Sequence, residues 1–323
     1  MSGTECHATL SGDPAVTRPP VRDAAVSVRD QLQNHARAAG DDFQRVLVRY
    51  GIERLLYRLA QSPLRDRFVL KGAMLFATWA DAPFRATGDV DFLAFGDSSV
   101  ESTKSAFVSL CDQAVDMEDG LVFDSSTIVV EQTREDENYK GLKVRLDAKL
   151  KNIVIPVLID IGFGDVIHPA SADIDYPRLL TDLPAARIRA YPPETVIAEK
   201  FDAMVRFGDQ ATRLKDHYDI WAISRAFEFD LTTLVGAVRG TLQQRGRSLP
   251  TALPAALTDT FAADARVKAQ WTGFLRRTSP TLQPSSFPDL TIALRAFLQP
   301  VLDALQPDAS PAPARWKPSE GWR

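Results

Sequence analysis

The sequence has few of the features that mark secreted, membrane-bound or strongly charged proteins. Only Cys6 and Cys111 occur among its 323 residues, which argues against a disulfide framework and favours a reducing compartment. No apolar run approaches the length of a membrane span, and residues 1–23 lack the apolar centre of a signal peptide. The formal net charge is only −4, so any basic surface for nucleic acid must be local. These absences predict a cytoplasmic protein with no membrane partner.

The composition is that of an ordinary globular protein, with 45% hydrophobic and 25% charged residues. The length allows one elaborated domain or two smaller ones. Residues 1–25 are rich in Ser, Thr, Gly and Pro and are predicted to be a disordered leader, and the proline-containing stretch 306–323 is predicted to be a flexible tail. Between them we expect a core with N-terminal helices at 26–185 and a helical domain at 186–305.

Hydrophobic periodicity predicts helices at both ends of the chain and a sheet in the middle. The pattern is helical from Val26 to Ala60, with a break at Gly40 that Asp41 or Asp42 can cap. The stretch 153–161 is apolar on both faces, which indicates a covered interior strand, although Pro156 suggests a bulge or an edge there. The fold class is therefore α/β (α+β). Strands are expected at 68–70, 89–95, 127–132, 143–149 and 153–161, and helices at 73–79, 98–117, 216–227, 231–245, 257–278, 290–305 and on from Pro193.

The strongest chemical signal runs from Lys71-Gly72 to Asp89-Val90-Asp91. Side chains alternate along a strand, so Asp89 and Asp91 project from one face, and a divalent cation is the usual remedy for their repulsion. Gly72 lets a phosphate approach the backbone at the start of a helix, where unpaired amides favour an anion. Each half alone is commonplace, but together they favour a site that holds a metal and a nucleotide.

A third acid, Asp160, ends the apolar run 153–161. An acid in such a strand is costly unless something pairs with it, and the metal site at Asp89 and Asp91 is the obvious candidate. We therefore predict that the three aspartates bind Mg²⁺ together.

The helical part of the chain gives weaker signals. Lys200 could reach the sheet and hold a triphosphate, but a helical lysine more often lies along a solvated face. Asp216 and Asp219 share one face of a helix, and capping explains them about equally well. His217 has no partner at a metal-ligand spacing and is interpreted as structural. Arginines in the N-terminal helices, together with Arg145, Lys149 and Lys151 on a charged strand face, could bind a polynucleotide backbone, although mixed helix surfaces have the same composition.

Several of these segments, in order, resemble the AbiEii/AbiGii toxin family, which includes the mycobacterial MenT-type toxins. The resemblance covers about residues 26–305 and leaves out the leader and the tail. It rests on Phe68-Val69-Leu70-Lys71-Gly72-Ala73, Arg85-x-Thr87-x-Asp89-x-Asp91, Ile159 to Asp165, Ala198-Glu199-Lys200 and Arg213-x-Lys215-Asp216-x-x-Asp219.

The resemblance implies a nucleotidyltransferase core related to the DNA polymerase β superfamily. It implies metal ligands at Asp89 and Asp91, and a triphosphate contact at Lys200 with Asp216 orienting that lysine or the nucleotide. The chain has Gly72-Ala73 where many relatives have Gly-Ser or Gly-Gly, which removes a side-chain phosphate contact but keeps the backbone one. The residues expected at the nucleotide are Lys71, Gly72, Arg85, Thr87, Lys200 and Lys215, and those expected in catalysis are Asp89, Asp91, Lys200 and Asp216.

The function implied is that of a toxin that transfers a nucleoside monophosphate from a nucleoside triphosphate (NTP) to an acceptor hydroxyl with the help of Mg²⁺. Similar toxins are paired with a neighbouring antitoxin, and some modify the 3′ end of tRNA. Two alternatives stay open at this stage. One changes the acceptor to a protein or small-molecule hydroxyl, and the other is a non-catalytic nucleotide-binding module.

Overall fold

The N-terminal helices begin and end where local signals place them. A computed structural model describes residues 23–79, 87–136, 139–208, 213–310 and 312–323. Helix α1 (Ala24–Ala39) ends at Gly40, which adopts the left-handed conformation that glycine tolerates. Helix α2 (Phe43–Gln61) begins after Asp42, whose carboxylate accepts from the Arg45 N–H. The break at Gly40 is thus confirmed. The predicted leader extends two residues too far, because Ala24 and Ala25 are helical, and residues 1–22 lie outside the described chain.

A mixed sheet forms the centre of the molecule, in the strand order β3-β4-β5-β2-β1-β7-β6. Strand β2 runs antiparallel to β1 and parallel to β5, and β1 runs parallel to β7. A 3₁₀ turn (Gly72–Leu75) and the short helix α3 (Phe76–Trp79) follow β1, and α4 (Val100–Cys111) follows β2. The strands are β1 (Phe68–Lys71), β2 (Asp89–Ala94), β3 (Leu121–Asp136), β4 (Tyr139–Leu150), β5 (Ile153–Phe163), β6 (Ala172–Asp175) and β7 (Arg187–Ala190).

One face of the sheet is covered by a helix, and part of the other face is exposed. Helix α2 packs on the face that carries Ile155 and Val157, which lie against Gly51. On the opposite face the β3–β5 half is open, and Val154 and Leu158 are 51% and 40% exposed. The expectation that β5 is covered on both sides was therefore wrong. The apolar side chains on its second face lie at an open sheet surface.

Pro156 is accommodated because β5 is a local edge at that point. It pairs with Asp147 of β4 on one side, whereas pairing with β2 on the other side starts only at Leu158. A residue without an N–H fits such a position.

Helices make up most of the remaining chain, as predicted from Pro193 onward. Helix α5 packs against α6 and α7, and α10 packs against α6 and α8. The single helix predicted at 257–278 is divided at Asp264, whose carboxylate caps the second part. The helices are α5 (Pro193–Phe207), α6 (Leu214–Ala226), α7 (Leu231–Gln244), α8 (Asp259–Ala263), α9 (Ala265–Thr278) and α10 (Phe287–Ala304). In the described residues, no helix is long and apolar enough to span a bilayer.

Residues 315–322 form regular structure at the end of the chain, which corrects the predicted flexible tail at 306–323. Strands β9 (Arg315–Lys317) and β10 (Gly321–Trp322) form a small sheet with β8 (Phe229–Asp230). The Trp316 indole donates to the Ser224 carbonyl at 2.7 Å, and its ring lies 4.8 Å from that of Phe297. Buried tryptophan rings supply enough apolar contact to fix this proline-containing segment.

The N-terminal arginines do not form a basic track for a polynucleotide. Arg54 and Arg58 are buried, and Arg58 donates to both carboxylate oxygens of Asp119. Arg45 and Arg49 pair with Asp41. These arginines are held inside the protein or neutralised at its surface, so the structure does not support their interpretation as a nucleic-acid surface.

Candidate active site

Strand register brings four charged residues into one row across the sheet, which we call the charged row. Lys143 of β4 lies beside Asp160 of β5, Asp160 beside Asp91 of β2, and Asp91 beside Lys71 of β1. Residues that are directly paired in register point to the same face of a sheet. Two carboxylates therefore lie side by side between two lysines, on the face opposite α2.

Gly72 leaves room for the Asp91 carboxylate. Its φ is +72°, and a Cβ at this position would lie 2.6 Å from the Asp91 Cγ and 2.9 Å from its Cβ. Any other residue would thus be strained in its backbone and would displace Asp91. The 3₁₀ turn that starts at Gly72 has no side-chain cap. Glycine is therefore required at position 72 both for the backbone conformation and for the space that the Asp91 side chain occupies.

Asp89 lies one pleat away from Asp91, on the same face of β2. Its Oδ1 accepts from the Thr87 hydroxyl at 2.6 Å. Burial raises the pKa of Asp91 from 3.8 to about 6, and the neighbouring charges of Asp89 and Asp160 add to the effect. Asp91 therefore keeps its proton to a higher pH than an ordinary aspartate does.

The donor set fits a hard divalent cation, since Mg²⁺ prefers carboxylate oxygens and would relieve this crowding. Within the described ranges, no group of three or more His, Cys, Asp or Glu side chains is close enough to hold a metal ion. The register nevertheless places Asp160 next to Asp91 and on the same face as Asp89. The three-aspartate metal site therefore stays a prediction.

Lys71 is held by acids of two other segments. Its ammonium donates to Asp165 Oδ2 at 3.0 Å and to both oxygens of Glu199 at 3.1 Å. Burial raises the pKa of Glu199, and the Lys71 charge opposes that shift. Lys71 thus connects β1 to the segment after β5 and to α5. If Lys71 binds the nucleotide as predicted, it does so while paired with these acids.

Arg245, at the end of α7, extends the same network. Its guanidinium contacts Asp165 at 2.9 Å, Glu199 at 3.4 Å and Asp202 at 2.8 Å. Arg247 also pairs with Asp202, at 2.8 Å. Buried acids must be paired to be tolerated, and here the pairing fixes α5 and α7 against the sheet.

Lys200 lies on the α5 surface that faces α6, not along a solvated face. Its ammonium donates to Asp216 Oδ1 at 3.1 Å and to Asp219 Oδ2 at 2.6 Å, and only 12% of its side chain is exposed. Arg213 donates to the other Asp216 oxygen at 2.7 Å. Burial alone would raise the pKa of Asp216, but the charges of Lys200 and Arg213 outweigh it and lower that pKa to about 2. Asp216 is therefore a permanent anion that bridges the lysine and the arginine.

One cavity of about 400 Å³ contains nearly all the residues that the sequence singled out. Arg85 lies outside the described residues, so its role at the nucleotide stays a prediction. The predicted residues that line the cavity are Lys71, Gly72, Thr87, Asp89, Asp91, Asp160, Lys200, Lys215 and Asp216.

Other cavity residues had no predicted role in the sequence. Lys143 contacts Asp160 Oδ1 at 3.3 Å, and the clean alternation of 143–149 was the signal that placed it on a charged face. Arg245 and Arg247 had no motif around them, because their partners are distant in the chain.

His217 is structural, as interpreted from the sequence. It is buried, its Nε2 lies 2.9 Å from the Ala256 carbonyl oxygen, and its ring stacks on Phe261. Burial lowers its pKa, so it remains neutral.

The solved structures that resemble this chain differ widely from it in sequence. JHP933 from Helicobacter pylori is 16% identical, with 85% of this chain and 94% of that one covered and a TM-score of 0.44. A second H. pylori protein, assigned as a nucleotidyltransferase, is 15% identical with coverage of 85% and 96% and a TM-score of 0.45. An antigenic nucleotidyltransferase-like protein from Paracoccidioides brasiliensis is 12% identical, with coverage of 85% and 93% and a TM-score of 0.32. No curated protein matches the chain.

The family comparison is more decisive than these structural likenesses. The model of the nucleotidyl transferase AbiEii toxin family, of type IV toxin–antitoxin systems, matches residues 54–299. That range contains the whole charged row, α5 and α6, and leaves out α1, the first part of α2 and the end of the chain. The match confirms both the expected family and the nucleotidyltransferase fold class. This chain therefore belongs to the AbiEii nucleotidyl transferase toxin family.

Proposed function

We propose that this protein transfers a nucleoside monophosphate from an NTP to the 3′-terminal hydroxyl of tRNA, with Mg²⁺ held by Asp89, Asp91 and Asp160. Family membership implies nucleotidyl transfer, an NTP substrate and an antitoxin partner. The metal, the acceptor and the residue roles are the parts that we add.

The charged row is the observation that carries the proposal. Asp91 and Asp160 come from strands about 70 residues apart in the chain, yet they are paired in register on one face. Burial, with the added charges of Asp89 and Asp160, raises the pKa of Asp91 to about 6, and a surface without a catalytic role has no reason to retain such a costly arrangement. A module that only binds nucleotides needs no such cluster of acids.

In the reaction, the acceptor hydroxyl loses its proton to solvent and its oxygen bonds to the α-phosphorus, while the bond from that phosphorus to the oxygen shared with the β-phosphate breaks and pyrophosphate leaves. Bound Mg²⁺ would lower the pKa of the attacking hydroxyl and stabilise the leaving pyrophosphate. Asp89 and Asp91 hold the reacting centre against β2, and Gly72 keeps the backbone open beside it. Lys200, fixed by Asp216 and Asp219, offers positive charge to the β- and γ-phosphates.

The choice of tRNA rests on the family resemblance and not on a basic groove. On the open face of β3–β5, Lys149 pairs with Asp124 at 2.8 Å, and Arg145 lies on β4 between the alternating charges of Lys143 and Asp147. A mixed surface of this kind gives only weak attraction for a phosphate backbone. The acceptor must therefore be identified directly.

The test uses Asp89→Asn, with Asp147→Asn as its matched control. Asp147 lies on the same sheet face but outside the cavity. Each variant is incubated with each α-³²P-labelled NTP and total tRNA, with Mg²⁺ or with EDTA, and the 3′ ends are sequenced. We expect labelled tRNA from wild type and Asp147→Asn with Mg²⁺, and at least about a thousandfold less from Asp89→Asn.

Three outcomes would contradict the proposal. If Asp89→Asn transfers nucleotides as fast as Asp147→Asn, the aspartates do not have the proposed catalytic role. If transfer occurs in EDTA, the reaction does not require Mg²⁺. Label that survives RNase and migrates with protein would replace tRNA with a protein acceptor.

A further inference from the structure

We propose that Phe207, with the guanidinium groups of Arg206 and Arg213, forms the surface on which the base of the NTP stacks. We call these three residues the aromatic clamp. The inference rests on the proposed function, because it assigns the base-binding part of the same cavity. No motif in the sequence pointed to Phe207.

The clamp lies where α5 ends and α6 begins. Phe207 is the last residue of α5, and Gly208 follows with a φ of +54°, which ends the helix. The Arg206 guanidinium lies 4.8 Å and that of Arg213 4.9 Å from the centre of the Phe207 ring. All three residues line the cavity that contains Asp91. Phe207 is half-buried, so part of the side chain remains accessible.

The clamp is linked directly to the predicted phosphate contact. Arg213 Nε donates to Asp216 Oδ2 at 2.7 Å, and Asp216 Oδ1 accepts from Lys200 at 3.1 Å. One carboxylate therefore fixes both the arginine of the clamp and the lysine that faces the triphosphate. If a nucleotide binds with its phosphates at Lys200, the aromatic clamp offers a flat surface for its base.

The chemistry of the clamp suits a base and does not distinguish strongly among bases. Aromatic rings and guanidinium planes stack on the faces of all four bases, at about 1–3 kcal/mol per base by alanine substitution. Stacking of this kind adds affinity without reading the hydrogen-bonding edge. The clamp should therefore strengthen binding of every NTP and make no difference to a triphosphate that lacks a base.

The experiment measures equilibrium binding by calorimetry, with full-length protein and Mg²⁺, for ATP, GTP, CTP, UTP and ribose 5′-triphosphate. The variants are Phe207→Ala and the conservative Phe207→Tyr. The matched control is Phe95→Ala, because Phe95, which is 42% exposed, also lies beside a guanidinium, that of Arg189 at 5.8 Å, but outside the cavity. Thermal unfolding of each variant shows that it is folded.

We expect Phe207→Ala to weaken binding of each NTP that wild type binds by about 5- to 150-fold. Ribose 5′-triphosphate should bind wild type and Phe207→Ala equally, and Phe207→Tyr and Phe95→Ala should resemble wild type. An equal loss for ribose 5′-triphosphate would make Phe207 a structural residue and overturn the inference. Wild type that binds NTPs no better than ribose 5′-triphosphate would also overturn it.

These outcomes are separate from those of the transfer assay. If Asp89→Asn still transfers nucleotides, the proposed metal mechanism fails while the binding result on Phe207 stands. If Phe207→Ala binds NTPs like wild type while Asp89→Asn is inactive, only the assignment of the clamp fails.

Discussion

Replacing Gly72 with alanine tests how closely the backbone and the Asp91 carboxylate are fitted to each other. The new Cβ would lie 2.6 Å from the Asp91 Cγ and 2.9 Å from its Cβ, distances that real Cβ atoms essentially never show. Asp91 cannot avoid it by rotating its carboxylate, because its own Cβ is also too close. Strand β2 or the turn after β1 has to shift.

The substitution should lower both the stability and the reaction rate, and each loss can be given an approximate magnitude. An L-residue at a φ of +72° costs about 1–2 kcal/mol in backbone strain, and the clash adds to that cost. A displacement of about 1 Å at a reacting centre lowers the rate about 100-fold. We therefore expect Gly72→Ala to lose at least about 100-fold in kcat and about 2 kcal/mol in the free energy of unfolding.

Gly96→Ala is the matched control. Gly96 has a φ of +87°, and a Cβ at this position would have no other atom within 4 Å, so alanine there brings strain without a clash. It should lose only the strain cost of about 1–2 kcal/mol in the free energy of unfolding and keep its transfer activity. Initial rates at saturating NTP measure the effect on kcat, and urea unfolding measures the effect on stability. A Gly72→Ala enzyme about as active as Gly96→Ala would show that Asp91 does not need its observed position.

Two further predictions concern buried charges. Burial raises the pKa of Glu53 from 4.5 to about 7, so above pH 4.5 the unfolded chain loses a proton that the folded one keeps until about pH 7. Stability should fall by up to about 3 kcal/mol as the pH rises through that window. In Glu53→Gln, the free energy of unfolding measured with urea should depend less on pH between pH 4.5 and about 7. A pH dependence as steep as that of wild type would contradict this prediction. Asp219→Asn should weaken the hold on Lys200, lower stability by about 2 kcal/mol and raise the KM for NTP. An unchanged KM in steady-state assays would show that Asp216 is sufficient to position Lys200 without Asp219.

Local signals in the sequence were sufficient for part of the fold and part of the site. The left-handed Gly40, the capping Asp42 and the alternation of Asp89 and Asp91 all depend on residues within a few positions of one another. Such features can be read from the chain without knowing what packs against it. Pairing of Asp160 with Asp91 was predicted only from the cost of an unpartnered acid, and the strand register places the two side by side.

Long-range partners decided the features that the sequence did not predict. The charged row needs the order β4-β5-β2-β1, which no local pattern specifies, so Lys143 was not recognised as a neighbour of Asp160. Arg54 and Arg58 had the composition of a basic surface, but Asp119 draws Arg58 into the core. The prolines of the tail predict flexibility, but the indole of Trp316 is buried against α10 and fixes the segment.

The charge balance of the cavity constrains how a nucleotide can enter it. Lys71 is held by Asp165 and Glu199, and comparable acid contacts hold Lys200 and Lys143. Each of these three lysines is therefore already paired with at least one acid before any substrate arrives. A bare triphosphate would add several negative charges beside Asp91, whose pKa is already raised by burial and by like charges. We therefore expect the nucleotide to bind with its divalent cation, since the cation compensates the triphosphate and the aspartates together, which the lysines in their present pairings cannot do.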